Sequence, residues 1–349
     1  YNDGNGLSPP DVDDNCQVEV VIIEIDGAFG TGGFFSPSLF GESIFIDYSD
    51  ASLPWSKVIL AHELQHLLHN ALDPNENNWI DEGAADMAAF LCFGGSSTLY
   101  GHVNAWSQRS SDSVRWWDQS EDTADYGGGF IFMLYLADHL GGGAAIRNLA
   151  SDTSTGSRGV ENLGLNPIGV PSGYIGDDFN SMWKNFSVAA TLDVDQSIYG
   201  MSNLDLTPVC SSNSFCRVQP ADTNSDWSSN SWTSTDHETE GWGLRVFKLE
   251  PSATSAAPLT LRLTGSVEGF QGLTVARSSL DGQYTVNDIS FSNGIGTGMV
   301  SDFGGDVDEV HVITWLDVEN FGDCNYKNCG FWPGVNTSTT VLENDDNPS

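Results

Sequence analysis

The spacing of the apolar residues changes along the chain, and this change constrains the fold more than any other feature. Between Val58 and Leu68 apolar side chains recur every three or four positions, which is typical of a helix that buries one face. After about residue 225, runs such as "LTLRLTG" and "EVHVITWLDV" alternate apolar and polar side chains between turn residues, as the strands of a β-sandwich do. The sequence therefore predicts a partly helical region followed by an all-β region.

The first region also contains strands, so its predicted class is α+β. Two β-branched runs, at residues 16–27 and 42–50, precede four helical segments that begin near residues 55, 79, 129 and 177. A stretch rich in Ser, Asn, Asp and Thr follows residue 200 and reads as loop. We therefore predict an α+β domain at 1–200, a linker at 201–224 and a β-sandwich accessory domain at 225–349.

The first of these helices carries the pattern HExxH, formed by His62, Glu63 and His66. Residues four positions apart lie on one face of a helix, so both imidazoles can reach the same metal ion. Zinc binds imidazole nitrogen at about 2.0–2.1 Å, and Glu63 stands where it can contact a metal-bound water. Because the helix is strongly apolar, two unused histidines are the less favoured interpretation, and we predict a zinc site.

A catalytic zinc needs a third protein ligand. His69 follows three residues after His66, but a third imidazole from the same helix cannot easily close a tetrahedron, so we expect it to serve helix capping or surface polarity. Glu82 lies sixteen residues beyond His66, with room for a loop and a returning helix, and is the predicted ligand. Asp86, one turn further, is predicted to accept the outer N–H of a ligand histidine. A solvated helix start is the alternative for both acids.

The stretch "HELQHLLH…WIDEGAADMAAFL" resembles the gluzincin metallopeptidases, which hold zinc with two histidines and a glutamate. Within that group the chain is most similar to the hyicolysin family of secreted bacterial proteases, over roughly residues 1–193, including "DYGGGFIFMLYLADHLGG". The resemblance implies a zincin-like catalytic domain, with a small sheet and active-site helices, and zinc-dependent endopeptidase activity. Thermolysin-like members carry Asn before the glutamate ligand, whereas Asp81 precedes Glu82 here, so their substrate pocket is not inferred.

The proposed chemistry assigns further roles. Zinc activates a water molecule, and Glu63 takes its proton and passes it to the leaving amine. Related enzymes stabilise the developing oxyanion with a Tyr or His from a later helix. Tyr126, at a predicted helix start beside three flexible glycines, is the candidate, and His139 and His102 are the reserves.

The charge of the chain limits its partners. It contains 48 Asp and Glu against 12 Lys and Arg, a net charge of −36, which disfavours nucleic acid binding. No apolar run approaches the ~18 residues that a membrane helix needs. We expect a monomer with a protein or peptide substrate and no membrane span. The acidic clusters at 11–15 and 302–310 could also bind structural calcium, although neither fits an EF-hand.

The cysteine pattern predicts a secreted, extracellular protein. Six cysteines occur without a zinc knuckle, and two pairs lie close in sequence. The expected disulfides are Cys16–Cys92, Cys210–Cys216 and Cys324–Cys329. Reduced, buried thiols are the alternative.

Two other functions use the same sequence features. An aminopeptidase on this fold would need an anionic group for the free amine of its substrate, and no GxMEN-like pattern is present. A protein- or glycan-binding adhesin could carry a silent protease domain. The predicted zinc ligands and Glu63 are all intact, which argues against silence.

Overall fold

The computed structural model describes residues 9–11, 14, 16–28, 30–39, 41–117, 122–167, 174–201, 217–227, 233–251, 257–265, 269–317 and 337–344. These residues form a mixed structure of helices and strands with one large β sheet. They divide into two compact units, and neither unit is continuous in sequence. The first holds the chain up to Trp106 and Trp117–Met182, and the second holds Ser107–Trp116, Trp183–Gly200 and the chain from Arg217 onward.

The first unit begins with a three-stranded sheet. Its strands are β1 (Glu19–Ile23), β2 (Gly33–Phe35) and β3 (Ser43–Asp47), arranged in the order β1-β3-β2. β1 runs parallel to β3, and β2 runs antiparallel to it. The central strand is buried along its whole length because β-branched and aromatic side chains fill both of its faces.

Seven helices follow the sheet in the described part of the chain: α1 (Ser56–Leu72), α2 (Asn78–Phe93), α3 (Ser97–Gln108), α4 (Asp122–Leu140), α5 (Gly143–Leu149), α6 (Ser157–Leu165) and α7 (Phe179–Leu192). The periodic apolar residues of α1 pack on the sheet, where Leu67 joins Ile44 and Ile46 of β3 in one buried cluster. This contact fixes the helix that carries the HExxH pattern.

Glycines bring α4 close to the other helices. The helix starts at Asp122, earlier than the predicted start near residue 129, so the three glycines after Tyr126 lie inside it. A Cβ at Gly129 would lie 2.7 Å from the carbonyl oxygen of Trp79, and a Cβ at Gly127 would overlap the carbonyl oxygen of His102. These glycines therefore permit close helix packing, and the expectation that they act as flexible residues is wrong.

The second unit contains ten strands in the described ranges: β4 (Asp222–Trp227), β5 (Thr233–Glu240), β6 (Leu244–Pro251), β7 (Ala257–Gly265), β8 (Phe270–Ser278), β9 (Tyr284–Asp288), β10 (Ser290–Ser292), β11 (Ile295–Phe303), β12 (Val307–Leu316) and β13 (Thr337–Asn344). One set pairs in the order β4-β6-β12-β8-β9 and another in the order β10-β11-β7-β13-β5. Phe303 and Val307 join the two sets into one sheet. Buried side chains from both sets share a single hydrophobic cluster. A sandwich of two separate sheets stays a prediction.

The segment 183–200 packs with these strands, although the sequence assigned it to the first domain. Lys184 forms an ion pair with Asp288 at 2.6 Å. The side chain of Gln196 donates to the carbonyl oxygen of Tyr284 at 2.7 Å and accepts its backbone N–H at 2.8 Å. The ranges 1–200, 201–224 and 225–349 stay predictions for independent domains. The two compact units have other bounds, because each is built from separate segments of the chain.

The predicted Cys16–Cys92 disulfide is wrong, because both residues carry free, exposed thiols. Cys16 precedes β1, where its thiol donates to the carboxylate of Asp11 at 3.3 Å. The pairs Cys210–Cys216 and Cys324–Cys329 lie outside the described residues and stay predictions.

Across the described ranges, no single helix has the length and apolar character needed to cross a membrane. One bent pair, Thr123–Leu140 with Gly143–Leu149, reaches those limits only when its two helices are taken together.

Candidate metal centre

Three predicted ligands converge between α1 and α2. The Nε2 atoms of His62 and His66 lie 3.0 Å apart. Each Nε2 lies 3.1 Å from the same atom, Oε2 of Glu82. Within the described ranges these three side chains are the one group of three or more His, Cys, Asp or Glu placed to hold a metal ion. The helix spacing of His62 and His66 and the return of the chain at Glu82 therefore bring together the residues that the sequence selected.

The triangle of ligand atoms fits zinc. A tetrahedral zinc ion with bonds of about 2.0–2.1 Å separates its ligand atoms by about 3.3 Å. The observed separations of 3.0 and 3.1 Å are shorter than this by only a few tenths of an ångström. Two imidazole nitrogens and one carboxylate oxygen also form a donor set typical of catalytic zinc sites.

Carboxylates hold the outer nitrogen of each predicted ligand histidine. Nδ1 of His62 lies 2.9 Å from Oδ1 of Asp86, the partner that the sequence predicted. Nδ1 of His66 lies 3.0 Å from Oδ2 of Asp81, an ion-pair contact outside hydrogen-bond angles. In the sequence, Asp81 stood out only as a departure from a family pattern, and we predicted no role for it. Its position directly before the predicted ligand Glu82 was the available signal.

Each of these aspartates also contacts a second histidine through its other oxygen. Oδ2 of Asp86 lies 2.6 Å from Nδ1 of His102 on α3. Oδ1 of Asp81 lies 2.9 Å from Nδ1 of His69, three residues beyond His66 on α1, and this ion-pair contact is also outside hydrogen-bond angles. His69 is 0% exposed, so the expectation that it provides surface polarity is wrong. It is also not among the residues placed to hold the metal ion.

The charges around the three ligands shift their pKa values strongly. Burial opposes protonation of His62, but its hydrogen bonds to Asp86 and Glu82 outweigh burial and raise its pKa to about 10. Burial also opposes ionisation of Glu82, but the neighbouring histidines lower its pKa to about 2. These shifts favour the protonated form of His62 and the ionised form of Glu82. A bound cation would take the place of the proton on His62.

Glu63 lies beside the ligands on α1 and is 6% exposed. Burial raises the pKa of its carboxyl group, while the positive charge of His62 and His66 opposes this rise. The backbone N–H of Phe35, at the end of β2, donates to it. A raised pKa makes the carboxylate a stronger base, which suits a residue that accepts a proton from water.

Tyr126 lies beside His62 and His102, and its predicted role in stabilising the oxyanion stays a prediction. Its ring stacks on His102 with centroids 4.8 Å apart, and its centroid lies 5.9 Å from that of His62. The ring of Trp117 meets it edge-on at 4.9 Å. Of the two reserve residues, His102 therefore lies at the centre. His139 is 1% exposed and packs against Tyr135 at 4.6 Å, and it does not belong to the group placed to hold the metal ion.

The acidic segment 302–310, a predicted calcium site, uses carboxylates in ion pairs. Asp308 lies 2.8 Å from Arg277, and Glu309 lies 2.8 Å from Lys248. Among the described residues these acids form no group placed to hold a metal ion. The other acidic cluster, 11–15, is only partly described, and calcium binding there stays a prediction.

Comparisons with known proteins add little to this geometry. No protein-family model and no curated protein matches the chain. Among solved structures, the pre-peptidase C-terminal domain of a collagenase from Bacillus anthracis is similar over 36% of this chain and 96% of that domain, with 9% identity and a TM-score of 0.23. A similarity at this level carries no argument, so the interpretation of the centre rests on its own residues.

Proposed function

We propose that this protein is a zinc-dependent endopeptidase with a zincin-like, gluzincin catalytic unit. The convergence of His62, His66 and Glu82 at separations of 3.0 and 3.1 Å carries the proposal. The buried Glu63 beside them supports a hydrolytic role, because a metal site without a neighbouring base would serve structure equally well. The sequence resemblance to the hyicolysin family supports the same activity and secretion from the cell.

Each residue then has a task in peptide hydrolysis. Zinc would lower the pKa of a bound water and polarise the scissile carbonyl. His62, His66 and Glu82 would hold it, with Asp86 and Asp81 orienting the two imidazoles. The carboxylate of Glu63 takes a proton from the attacking water and delivers it to the departing amine. The hydroxyl of Tyr126 donates to the oxygen on which negative charge develops.

An edge strand favours a polypeptide substrate. β2 pairs only with β3 in the described part of the chain, so it is an edge strand, the position at which an extended segment could be added to the sheet. Its last residue, Phe35, donates its backbone N–H to Glu63, which places this edge beside the proposed base. A peptide added to such an edge would be held by backbone hydrogen bonds along its length, without recognition of a chain end. This arrangement favours an endopeptidase over an aminopeptidase.

The test compares wild type with Glu63→Gln. We expect both proteins to bind one zinc ion, measured by elemental analysis, because Glu63 is not a predicted ligand. Wild type should cleave unfolded casein, and Glu63→Gln should lower kcat at least about 100-fold, since a positioned base contributes ~10²–10⁴-fold. Glu76→Gln is the matched control: burial raises the pKa of this nearby carboxyl to about 7, and its removal should preserve both zinc and activity.

The results separate the alternatives. Zinc binding with no cleavage of any protein would refute the endopeptidase and favour a binding protein with a silent site. Release of single residues from chain ends, with no cleavage of a peptide whose amino terminus is blocked, would favour an aminopeptidase. Full activity in Glu63→Gln would refute the assigned base.

A further inference from the structure

Four histidines and two aspartates form two bridges around the candidate zinc centre. Asp86 is hydrogen-bonded to both of its histidines, whereas Asp81 makes ion-pair contacts outside hydrogen-bond angles. Asp86 lies between His62 at 2.9 Å and His102 at 2.6 Å. Asp81 lies between His66 at 3.0 Å and His69 at 2.9 Å. In each bridge one carboxylate oxygen faces a predicted metal ligand and the other faces a histidine outside the ligand set. We call His69 and His102 the outer histidines.

Each outer histidine contacts the second oxygen of a bridging carboxylate, and one of these carboxylates is buried. Asp86 is 2% exposed, whereas the side chain of Asp81 is 34% exposed and lies in ion-pair contact with two imidazoles. A buried carboxylate needs partners at both oxygens, because an unpaired charged oxygen loses its hydration without compensation. A carboxylate that is hydrogen-bonded at both oxygens, as Asp86 is, also resists rotation about its Cβ–Cγ bond. The oxygen that faces the ligand histidine is then fixed in place.

The two bridges also link the helices that supply the ligands. His69 and His66 both lie on α1, so Asp81 attaches the first turn of α2 to two successive turns of α1. Asp86 lies one turn after Glu82 and connects α2 to His62 on α1 and to His102 on α3. Glu82 therefore stands between two points at which α2 is tied to its neighbours.

The outer histidine of the second bridge is itself held in place. The ring of His102 stacks on Tyr126, with centroids 4.8 Å apart and planes inclined by 23°. Its backbone carbonyl lies where a Cβ at Gly127 would stand, so α3 and α4 cannot shift freely at this point. The packing of α4 against α3 thus determines where the Asp86 carboxylate is held.

We propose that His69 and His102 are positioning residues for the metal centre, acting through Asp81 and Asp86 on the ligand histidines His66 and His62. The inference rests on the proposed zinc site, and it extends the set of residues that determine zinc affinity beyond the ligands and their direct partners. It also explains Asp at position 81: a carboxylate can serve two imidazoles, whereas an amide would offer only one acceptor oxygen.

Paired substitutions test the inference by zinc affinity, measured on the metal-free full chain by competition with a chromogenic chelator. His102→Phe keeps an aromatic ring on Tyr126 and removes the N–H group, whereas His102→Asn keeps an N–H donor near the Nδ1 position and removes the ring. We expect His102→Phe to weaken zinc binding about tenfold and His102→Asn to stay within about twofold of wild type. The same contrast applies to His69→Leu and His69→Asn.

A coupling measurement distinguishes positioning from general stabilisation. Asp81→Asn alone should weaken zinc binding about tenfold. Adding His69→Leu to Asp81→Asn should cause no further loss, because the outer histidine would no longer have a carboxylate to hold. His139→Phe is the control for loss of a buried histidine, since His139 packs against Tyr135 and belongs to neither bridge. Zinc affinity should be unchanged in this variant.

Equal zinc affinity in wild type, His102→Phe and His69→Leu would overturn the inference, as would losses that simply multiply in the double variant. If His69→Leu fails to fold, by circular dichroism of the metal-free protein, the His102 pair decides, because His102 is partly exposed, at 17%. Wild type that binds no zinc would overturn the proposed function as well. Zinc binding that is insensitive to the outer histidines would overturn this inference alone.

Discussion

Replacing Gly83 with alanine should force α2 away from α4 next to the ligand Glu82. A Cβ at Gly83 would lie 2.7 Å from the carbonyl carbon and oxygen of Gly129 and 3.1 Å from its Cα. Carbon atoms in contact need about 3.5 Å or more, so the two helices must separate by close to 1 Å at this point. Overpacking of this kind costs about 1–3 kcal/mol of unfolding free energy. The higher helix propensity of alanine relative to glycine offsets up to about 1 kcal/mol of this cost.

Because the clashing atoms belong to the backbone and not to a flexible side chain, the cost lies near the upper end of this range, and the net expectation is a loss of about 2 kcal/mol. Urea unfolding of the metal-free protein, followed by its helical circular-dichroism signal, measures this loss without a contribution from bound zinc. Zinc affinity should fall in parallel, because Glu82 directly precedes the displaced residue. Gly101→Ala is the matched control. On α3, no described atom lies within 4 Å of the point where its Cβ would stand, and this variant should gain about 0.5–1 kcal/mol. A Gly83→Ala variant as stable as wild type would refute the close helix contact.

Three further outcomes follow from the structure. The pKa of His62 is raised to about 10, and that of His66 is raised as well, so zinc should displace at least one proton at pH 7 and bind more tightly as the pH rises. Calorimetry in buffers of different ionisation enthalpy counts the protons, and no release would contradict the charge assignment. Desolvation opposes ionisation of Asp47, but hydrogen bonds from four backbone N–H groups lower its pKa, so its contribution to folding stability is present above about pH 3.8 and is lost below it. Asp47→Ala should therefore lower the urea midpoint at pH 7, and the difference from wild type should shrink in acid. A difference that stays constant with pH would contradict the mechanism. Cys16 and Cys92 should both react with iodoacetamide in the native protein, as peptide mass spectrometry would show, and protection of either would contradict its exposed free thiol.

The candidate ligands could be selected from sequence because their geometry is local. Helix periodicity alone puts His62 and His66 on one face, and this face is the one the structure presents to Glu82. Asp86 follows Glu82 by one turn, so its proximity to the same centre also follows from spacing. The identity of the metal and the reaction stay predictions, since they depend on chemistry that spacing does not determine.

Contacts between elements distant in sequence were not available from periodicity. The burial of His69 depends on how α2 returns over the end of α1, which a helical pattern does not specify. The glycines after Tyr126 looked flexible because their sequence shows no packing partners. In the structure, Gly127 and Gly129 are helical positions pressed against α3 and α2. A glycine run inside an apolar segment is compatible with a close helix crossing and with a hinge. The two can be distinguished only when the element that packs against the glycines is known.

The same close crossings connect the packing of the unit to the chemistry of its centre. Gly83 lies between Glu82 and Asp86 on α2, so the surface of α2 that touches α4 lies within one turn of a ligand and of a bridging carboxylate. Gly127 is the corresponding glycine at the contact between α4 and α3, where it follows Tyr126 and lies against the backbone of His102. Small residues at both crossings let three helices approach closely enough for one aspartate to reach two imidazoles. The positions of the ionisable groups thus depend on residues that carry no charge, and substitutions at these glycines should alter zinc affinity before they abolish folding.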